Sequence, residues 1–185
     1  MQQVVEALLA ELGQDIVQIG AAVHERATSY WDASPTQALA VVKPRRTEEV
    51  SRALAICHRF GQPVVTQGGL TGCVQGAVAS GEEVIISLER MNVIEQIDPL
   101  AGTAVVQAGV VLQTLQDEAA AHGMLFALDL GARGSCTIGG NVATNAGGIN
   151  VLRYGMMRDQ VLGLEAVMAD GTVLSSLSPM LKNNA

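Results

Sequence analysis

The stretch Gly134-Ser135-Cys136-Thr137-Ile138-Gly139-Gly140-Asn141-Val142-Ala143-Thr144-Asn145-Ala146-Gly147-Gly148 sets two Gly-Gly pairs among hydroxyl and amide side chains. Glycine loses more conformational freedom on folding than any other residue, so this density needs a reason, and close approach of another molecule to bare backbone supplies one. Thr137, Asn141, Thr144 and Asn145 offer hydroxyl and amide groups beside unobstructed backbone N–H groups, a set that binds phosphate or the edge of a heteroaromatic ring. A second window, Thr66-Gln67-Gly68-Gly69-Leu70-Thr71-Gly72, follows the apolar run Pro63-Val64-Val65. Two glycine loops, each beside an apolar segment, suggest one elongated phosphate-bearing ligand gripped at two places. The chain carries a formal charge of -7 and only two lysines, Lys43 and Lys182, so oriented amides would hold the anion. Arg133, Arg153 and Arg158 flank the second window and could add charge.

Two familiar phosphate loops are absent. The first window does not fit the G-x-G-x-x-G dinucleotide fingerprint, and no glycine is followed by Lys-Ser or Lys-Thr as in nucleotide hydrolases.

The elements that must position these windows read as mixed helix and sheet. Met1–Leu12 has apolar residues at helical spacing (Val4, Val5, Leu8, Leu9, Leu12), and residues 13–37 read as polar and irregular. Ala38–Val42 reads as a strand that stops at Lys43-Pro44. A helix then runs from an N-cap at Thr47, with Glu48 and Glu49 in its first turn, to Phe60 and Gly61. Pro63–Thr66 and Val84–Leu88 read as strands, and Val93–Ile97 and Thr103–Gln107 as a pair joined by Asp98-Pro99-Leu100-Ala101-Gly102. Val111–His122 reads as a helix closed by Gly123, and Val161–Met168 as an apolar run meeting a hairpin turn at Asp170-Gly171.

Composition bounds the rest. A chain of 185 residues with only five aromatics builds an aliphatic core, as sheets packed on helices do. Its acidic balance argues against a nucleic-acid partner, and no apolar run is long enough to span a membrane. Three widely spaced cysteines fit a reducing compartment, and a cytoplasmic location is the expectation.

Several motifs in order carry a family resemblance: Val42-Lys43-Pro44, the Gln67–Gly72 loop, Asp98–Thr103 with Ala108-Gly109-Val110, Asp129 through Gly148, Leu152–Gly155, and Leu162–Gly171. The chain resembles the FAD-linked oxidases and dehydrogenases of D-2-hydroxy acids, which act on D-2-hydroxyglutarate, D-lactate or glycolate. The D-2-hydroxyglutarate branch is the nearest. The resemblance runs from about Ala38 to the last residue. It implies an α+β fold: a PCMH-type FAD-binding domain of two α+β subdomains over 38–185, preceded by an N-terminal helix and irregular segment over 1–37. In that family Gln67, Gly68, Gly69, Leu70, Thr71 and Gly72 would hold the pyrophosphate. Gly131, Ser135, Thr137, Gly139, Gly140, Asn141, Thr144, Asn145, Gly147 and Gly148 would run along the ribityl chain and flavin ring, and Val167 would meet the adenine. Many relatives have Asn or Thr at the place of Leu70. No histidine lies in that loop and Cys136 is not at the spacing of a doubly attached flavin, so the implied FAD is non-covalent.

Oxidising a 2-hydroxy acid also needs a base and cations for the carboxylate. His24, His58 and His122 lie away from both windows, no C-x-x-C or H-x-H metal spacing occurs, and no residue points to a particular electron acceptor. The expectation is therefore no catalytic residue and no metal ligand in this chain, with the 2-hydroxy acid bound by a further C-terminal domain. The ending at Leu181–Ala185, where relatives continue, suggests a fragment that lacks turnover. Two other readings stay open: an FAD-carrying subunit that works with a separate catalytic chain, and a nucleotide-sugar binder on a similar scaffold. A valine at Gly140 is expected to reduce ligand binding far more than the same change at Gly81.

Overall fold

The computed structural model describes residues 2–177, so the segment Leu181–Ala185 lies outside the described residues. In chain order the elements are α1 (Gln2–Leu12), β1 (Val17–Gln18), α2 (Ala21–His24), β2 (Ala40–Val42), α3 (Thr47–Arg59), β3 (Val64–Gln67), β4 (Val84–Ser87), β5 (Ile94–Asp98), β6 (Thr103–Val106), α4 (Leu112–Ala121), α5 (Ile138–Ala143), α6 (Val151–Tyr154), β7 (Leu164–Val167) and β8 (Val173–Ser176). Among the described residues they divide into two compact units: 2–91 with Val167–Val173, and Asn92–Ala166 with 174–177.

The first unit is built on a sheet of order β1-β2-β4-β3, in which β2, β4 and β3 are parallel and β1 is antiparallel to β2. Strands β2 and β4 are buried on both faces, as the centre of a covered parallel sheet requires. Ala40, Val42, Val84 and Ile86 pack with Val4 and Leu8 of α1 and with Ala53, Ile56 and Cys57 of α3. Val41 and Ile85 point the other way, into a cluster with Val23 and Ala79. The helical spacing read in α1 is thus the face that buries Val4 and Leu8. Residues 13–37 are more ordered than their polarity suggests, because β1 is a two-residue strand paired Val17↔Val42 and Gln18↔Val41. A segment that short leaves no periodicity to read.

The start of α3 also differs from expectation. Arg46, not Thr47, is the N-cap, in extended backbone and without a side-chain cap bond. Glu49 does the capping from inside the helix: its Oε2 accepts the Arg45 N–H at 2.8 Å and its Oε1 accepts Arg46 Nε at 3.0 Å. The far end closes as the glycine predicts. Gly61 has φ +62°, its N–H donates to the His58 carbonyl, and the Gln62 N–H donates back to Cys57, which is a Schellman closure.

In the second unit β5 and β6 form an antiparallel hairpin whose turn is held by Asp98 Oδ1, accepting from the Leu100 and Ala101 N–H groups at 2.9 and 3.0 Å. Val110, Leu112, Leu115, Leu128, Cys136, Ile138 and Met157 make its core, with Ile94 and Val106 of the hairpin packed against them. Helix α4 ends like α3, at Gly123 with φ +74°. The turn between β7 and β8 is set by Asp170 Oδ1, which accepts the Thr172 N–H at 2.8 Å. Gly171 there lies against α3: its carbonyl accepts Ser51 Oγ at 2.6 Å, and a Cβ would fall 2.8 Å from that of Ala55.

Candidate functional site

The first window leaves the sheet at the carboxyl end of its parallel strands, where open α/β sheets bind ligands. Gln67 is the last residue of β3 and is 1% exposed; its Nε2 donates to the Ala77 carbonyl at 2.9 Å, while its Oε1 is buried with no protein partner. Gly68, Gly69, Leu70 and Thr71 are half-buried, Gly72 is exposed, and space is open around a Cβ at Gly72. Leu70 has φ +57°, the left-handed region that disfavours a branched apolar residue. Its carbonyl accepts the Tyr30 N–H at 3.1 Å, which ties the loop to the segment after α2.

The second window forms the six-residue helix α5 with a turn on either side. Hydrogen bonds from Ile138 N–H to Val110 O and from Gly139 N–H to Ala108 O, both 2.8 Å, pin the start of α5 to the backbone entering α4. This pinning sorts the glycines. A Cβ on Gly139 would lie 2.7 Å from that of Ala108 and 2.9 Å from its carbonyl oxygen, so Gly139 is demanded by backbone packing. Gly148 has φ +139° and a Cβ there would run into the Asp129 carbonyl, so its glycine is demanded too. Gly147 is held beside Val151. Gly131 and Gly134, by contrast, have open space, and Gly140 meets only Thr137 Oγ1, at 3.4 Å.

The polar side chains divide in the same way. Thr144 Oγ1 donates to the Gly140 carbonyl at 2.9 Å. Asn145, at φ +48°, accepts the Arg158 N–H at 3.0 Å and turns its amide nitrogen to Met156. The buried Asn141 points its amide at Cys136 Sγ, 3.6 Å away. Ser135 is exposed. Thr137 stands apart, because it is 5% exposed and its Oγ1 is buried without a protein partner, directly over Gly140. A buried hydroxyl left unpaired costs about 1–3 kcal/mol, so it marks a place where another group belongs. Val167 is half-buried at the end of β7.

Of the three flanking arginines, Arg133 pairs with Asp129 at 2.7 Å and Arg153 lies over the Tyr154 ring at 5.0 Å. Arg158 has no ion-pair partner among the described residues and lines a cavity of about 390 Å³ with Val142, Asn145, Val161 and Leu164. His24 Nδ1 lies 3.1 Å from the Thr36 carbonyl, and His122 Nδ1 lies 2.9 Å from the Glu118 carbonyl. Burial raises the Cys57 thiol to about 11 and also raises that of Cys136, against the opposing hydrogen bond from Asn141.

One cluster was missed from sequence. Glu89 accepts hydrogen bonds from Arg26, Lys43 and Ser87, brought together across the first sheet. The available signal was that Lys43, one of two lysines, stands directly after a strand. Burial pushes the Glu89 carboxyl up, but hydrogen bonds from Arg26, Lys43 and Ser87 outweigh it and bring it down to about 2, from 4.5. Folding therefore favours the charged form, and this contribution is present above pH 4.5 and lost as pH falls toward 2. Melting temperatures measured across that interval should fall less steeply for Glu89→Gln than for the wild type; equal slopes would show that Glu89 carries no such linkage.

The mixed helix-and-sheet scaffold with its two glycine windows matches a cofactor-binding domain. The chain belongs to the FAD binding domain family, whose model matches residues 38–176. It is 49% identical over 144 residues to the mitochondrial D-2-hydroxyglutarate dehydrogenase of Bos taurus, covering 78% of this chain and 26% of that protein. It is 43% identical over 143 residues to a mitochondrial protein of Schizosaccharomyces pombe named for D-lactate dehydrogenase, covering 77% and 27%. Among solved structures it resembles alkyldihydroxyacetonephosphate synthase with a TM-score of 0.82 at 23% identity, over 96% of this chain and 34% of that one. The chain thus spans about a quarter of the length of the curated relatives it matches. The cytoplasmic expectation is overturned, since these relatives are named mitochondrial. Unpaired cysteines are compatible with any reducing compartment and do not distinguish one from another. Among the described residues, no helix is long and apolar enough to cross a membrane.

Proposed function

We propose that this chain is the FAD-binding portion of a flavin-dependent dehydrogenase that oxidises a D-2-hydroxy acid of the 2-hydroxyglutarate or lactate type, with FAD held non-covalently. The observation that carries the reading is the unpartnered buried Thr137 Oγ1 beside Gly140, whose Cβ position meets no other atom within 4 Å. A buried hydroxyl next to bare backbone is a fitted place for a polar ligand atom. Bound FAD would supply the hydride acceptor. Thr137, Gly140, Ser135 and Gly131 would contact it in the second unit, and Gln67 to Gly72 would present amides to its phosphates in the first. Thr144 and Asn145 act chiefly by fixing the backbone of that surface through the bonds described above, and Asn141 by holding its amide against Cys136 Sγ. The cavity lined by Val142, Val161 and Leu164, with Asn145 and Arg158 in its wall, has the apolar body and polar edge that suit a heteroaromatic ring. The base and the carboxylate-binding cations are assigned to parts of the whole protein outside this domain. The relatives named for D-2-hydroxyglutarate and D-lactate dehydrogenases favour this over a nucleotide-sugar binder.

Titration with FAD, followed by the shift of the flavin absorption bands, tests the reading. Gly140→Val should weaken uptake by about tenfold or more, because loss of close backbone contacts worth about 1.4 kcal/mol already gives that factor. Gly81 is no longer a fair reference, since its φ of +110° strains any side chain. Ala120→Val, on an exposed position of α4, is the better one and should leave uptake unchanged. A protein that binds nucleotide sugars and no flavin would overturn the assignment.

A further inference from the structure

Glu89 is shared by two cations. Arg26 reaches its Oε2 and Oε1 at 2.9 and 3.3 Å, Lys43 Nζ reaches Oε1 at 2.8 Å, and Ser87 Oγ donates to Oε2 at 2.9 Å. The Arg26 and Lys43 side chains are only 16% and 17% exposed, so one positive charge is left uncompensated in a largely desolvated place. A purely structural ion pair gains nothing from that surplus, because an unpaired cation is costly to remove from water. The Arg26 Nε–H is itself buried with no protein partner.

The position of the surplus gives it a use. Lys43 follows β2, Ser87 closes β4, and Gln67, the register partner of Ser87, closes β3 and opens the Gly68-Gly69 loop. The Gln67 Oε1 is the second unpartnered buried atom here. The segment carrying Arg26 reaches the same loop, through the bond from Tyr30 N–H to the Leu70 carbonyl.

We propose that Arg26 and Lys43 form a cationic floor beneath the Gln67–Gly72 loop and recognise the pyrophosphate of the bound nucleotide by charge, with Glu89 as the positioning residue that holds the two together. Backbone amides of the loop give the site its shape. The floor gives the charge that an acidic chain otherwise lacks. This deepens the flavin reading and rests on it only for the identity of the nucleotide.

The test measures dissociation constants of FAD, ADP and riboflavin for the wild type, Lys43→Met and Lys43→Arg, with ligand-free melting of each. Lys43→Met should weaken FAD and ADP by about tenfold, in line with a hydrogen bond to a charged group, and leave phosphate-free riboflavin within about twofold. Lys43→Arg should restore most of the loss. Equal weakening of all three ligands, or of none, overturns the proposal. The wild type alone gives a second measure: ADP affinity should fall steeply with added salt, and a flat response also overturns the proposal. If the wild type binds ADP but neither flavin, the flavin reading fails, and the Lys43→Met effect on ADP decides the cationic floor by itself. If it binds none of the three, both fail.

Discussion

Gly139→Ala should destabilise the second unit by about 3 kcal/mol, whereas Gly140→Ala, one residue further along the same helix, should leave its melting unchanged or slightly raised. The new methyl at position 139 would lie 2.7 Å from the Ala108 Cβ and 2.9 Å from the Ala108 carbonyl oxygen, which is the acceptor of the Gly139 N–H. Neither obstacle is the free end of a side chain, so the segments must separate. Their separation strains the paired bond from Ile138 to Val110 and the Val111↔Thr137 bridge, which join α5 to the start of α4. Overpacking of this kind costs about 1–3 kcal/mol and a lost hydrogen bond about 1 more, a large share of a domain stability of about 5–15 kcal/mol. At position 140 the nearest neighbour is Thr137 Oγ1 at 3.4 Å, ordinary contact, and alanine favours the helix over glycine by about 1 kcal/mol. Gly148→Ala belongs with Gly139→Ala, since its positive φ and the Asp129 carbonyl both exclude a side chain. Urea unfolding followed by circular dichroism measures all three. Equal losses at 139 and 140 would remove the distinction between glycines that pack backbone on backbone and glycines that face a ligand.

That distinction separates what sequence could tell from what it could not. The two windows, the β2–α3–β3 order and the turn chemistry at Asp98 and Asp170-Gly171 follow from local signals: apolar runs, helical spacing and residues that accept turn geometry. The closures at Gly61 and Gly123 are local as well. The reasons for Gly139, Gly148 and Gly171 are not local, because the atoms that exclude their side chains belong to Ala108, Asp129, Ser51 and Ala55. Composition counts all these glycines alike. The Arg26–Glu89 pair is likewise separated by 63 residues, and only the sheet brings it together. The capping of α3 by Glu49 shows the opposite failure. Thr47 has the preferred residue type, but the backbone places Arg46 at the cap and leaves a carboxylate one turn inside to reach back. Thus chemistry-bearing stretches were legible as stretches, and the division of labour within them required the contacts.

Thr137→Val puts the proposed ligand contact to a test in which stability and binding move in opposite directions. Valine has nearly the shape of threonine, so the packing of this 5%-exposed position is retained while its unpartnered hydroxyl is removed. Eliminating a buried group without a partner should stabilise the ligand-free chain by about 1–2 kcal/mol. The same hydroxyl lies 3.4 Å from the Cβ position of Gly140 in the proposed site, so its loss should weaken FAD by about tenfold, the equivalent of about 1.4 kcal/mol. Because ligand binding stabilises the folded state in proportion to the logarithm of one plus the ligand concentration over Kd, the variant's advantage should shrink as FAD is added, by up to about 1.4 kcal/mol at high concentration. Scanning calorimetry across a series of FAD concentrations would show the two melting curves converging or crossing. A valine variant that melts lower without ligand would mean that the hydroxyl is already satisfied within the protein. One that melts higher at every FAD concentration by the same margin would mean that the hydroxyl does not meet the flavin nucleotide, and the reading would then rest on Gly140, Ser135 and Gly131.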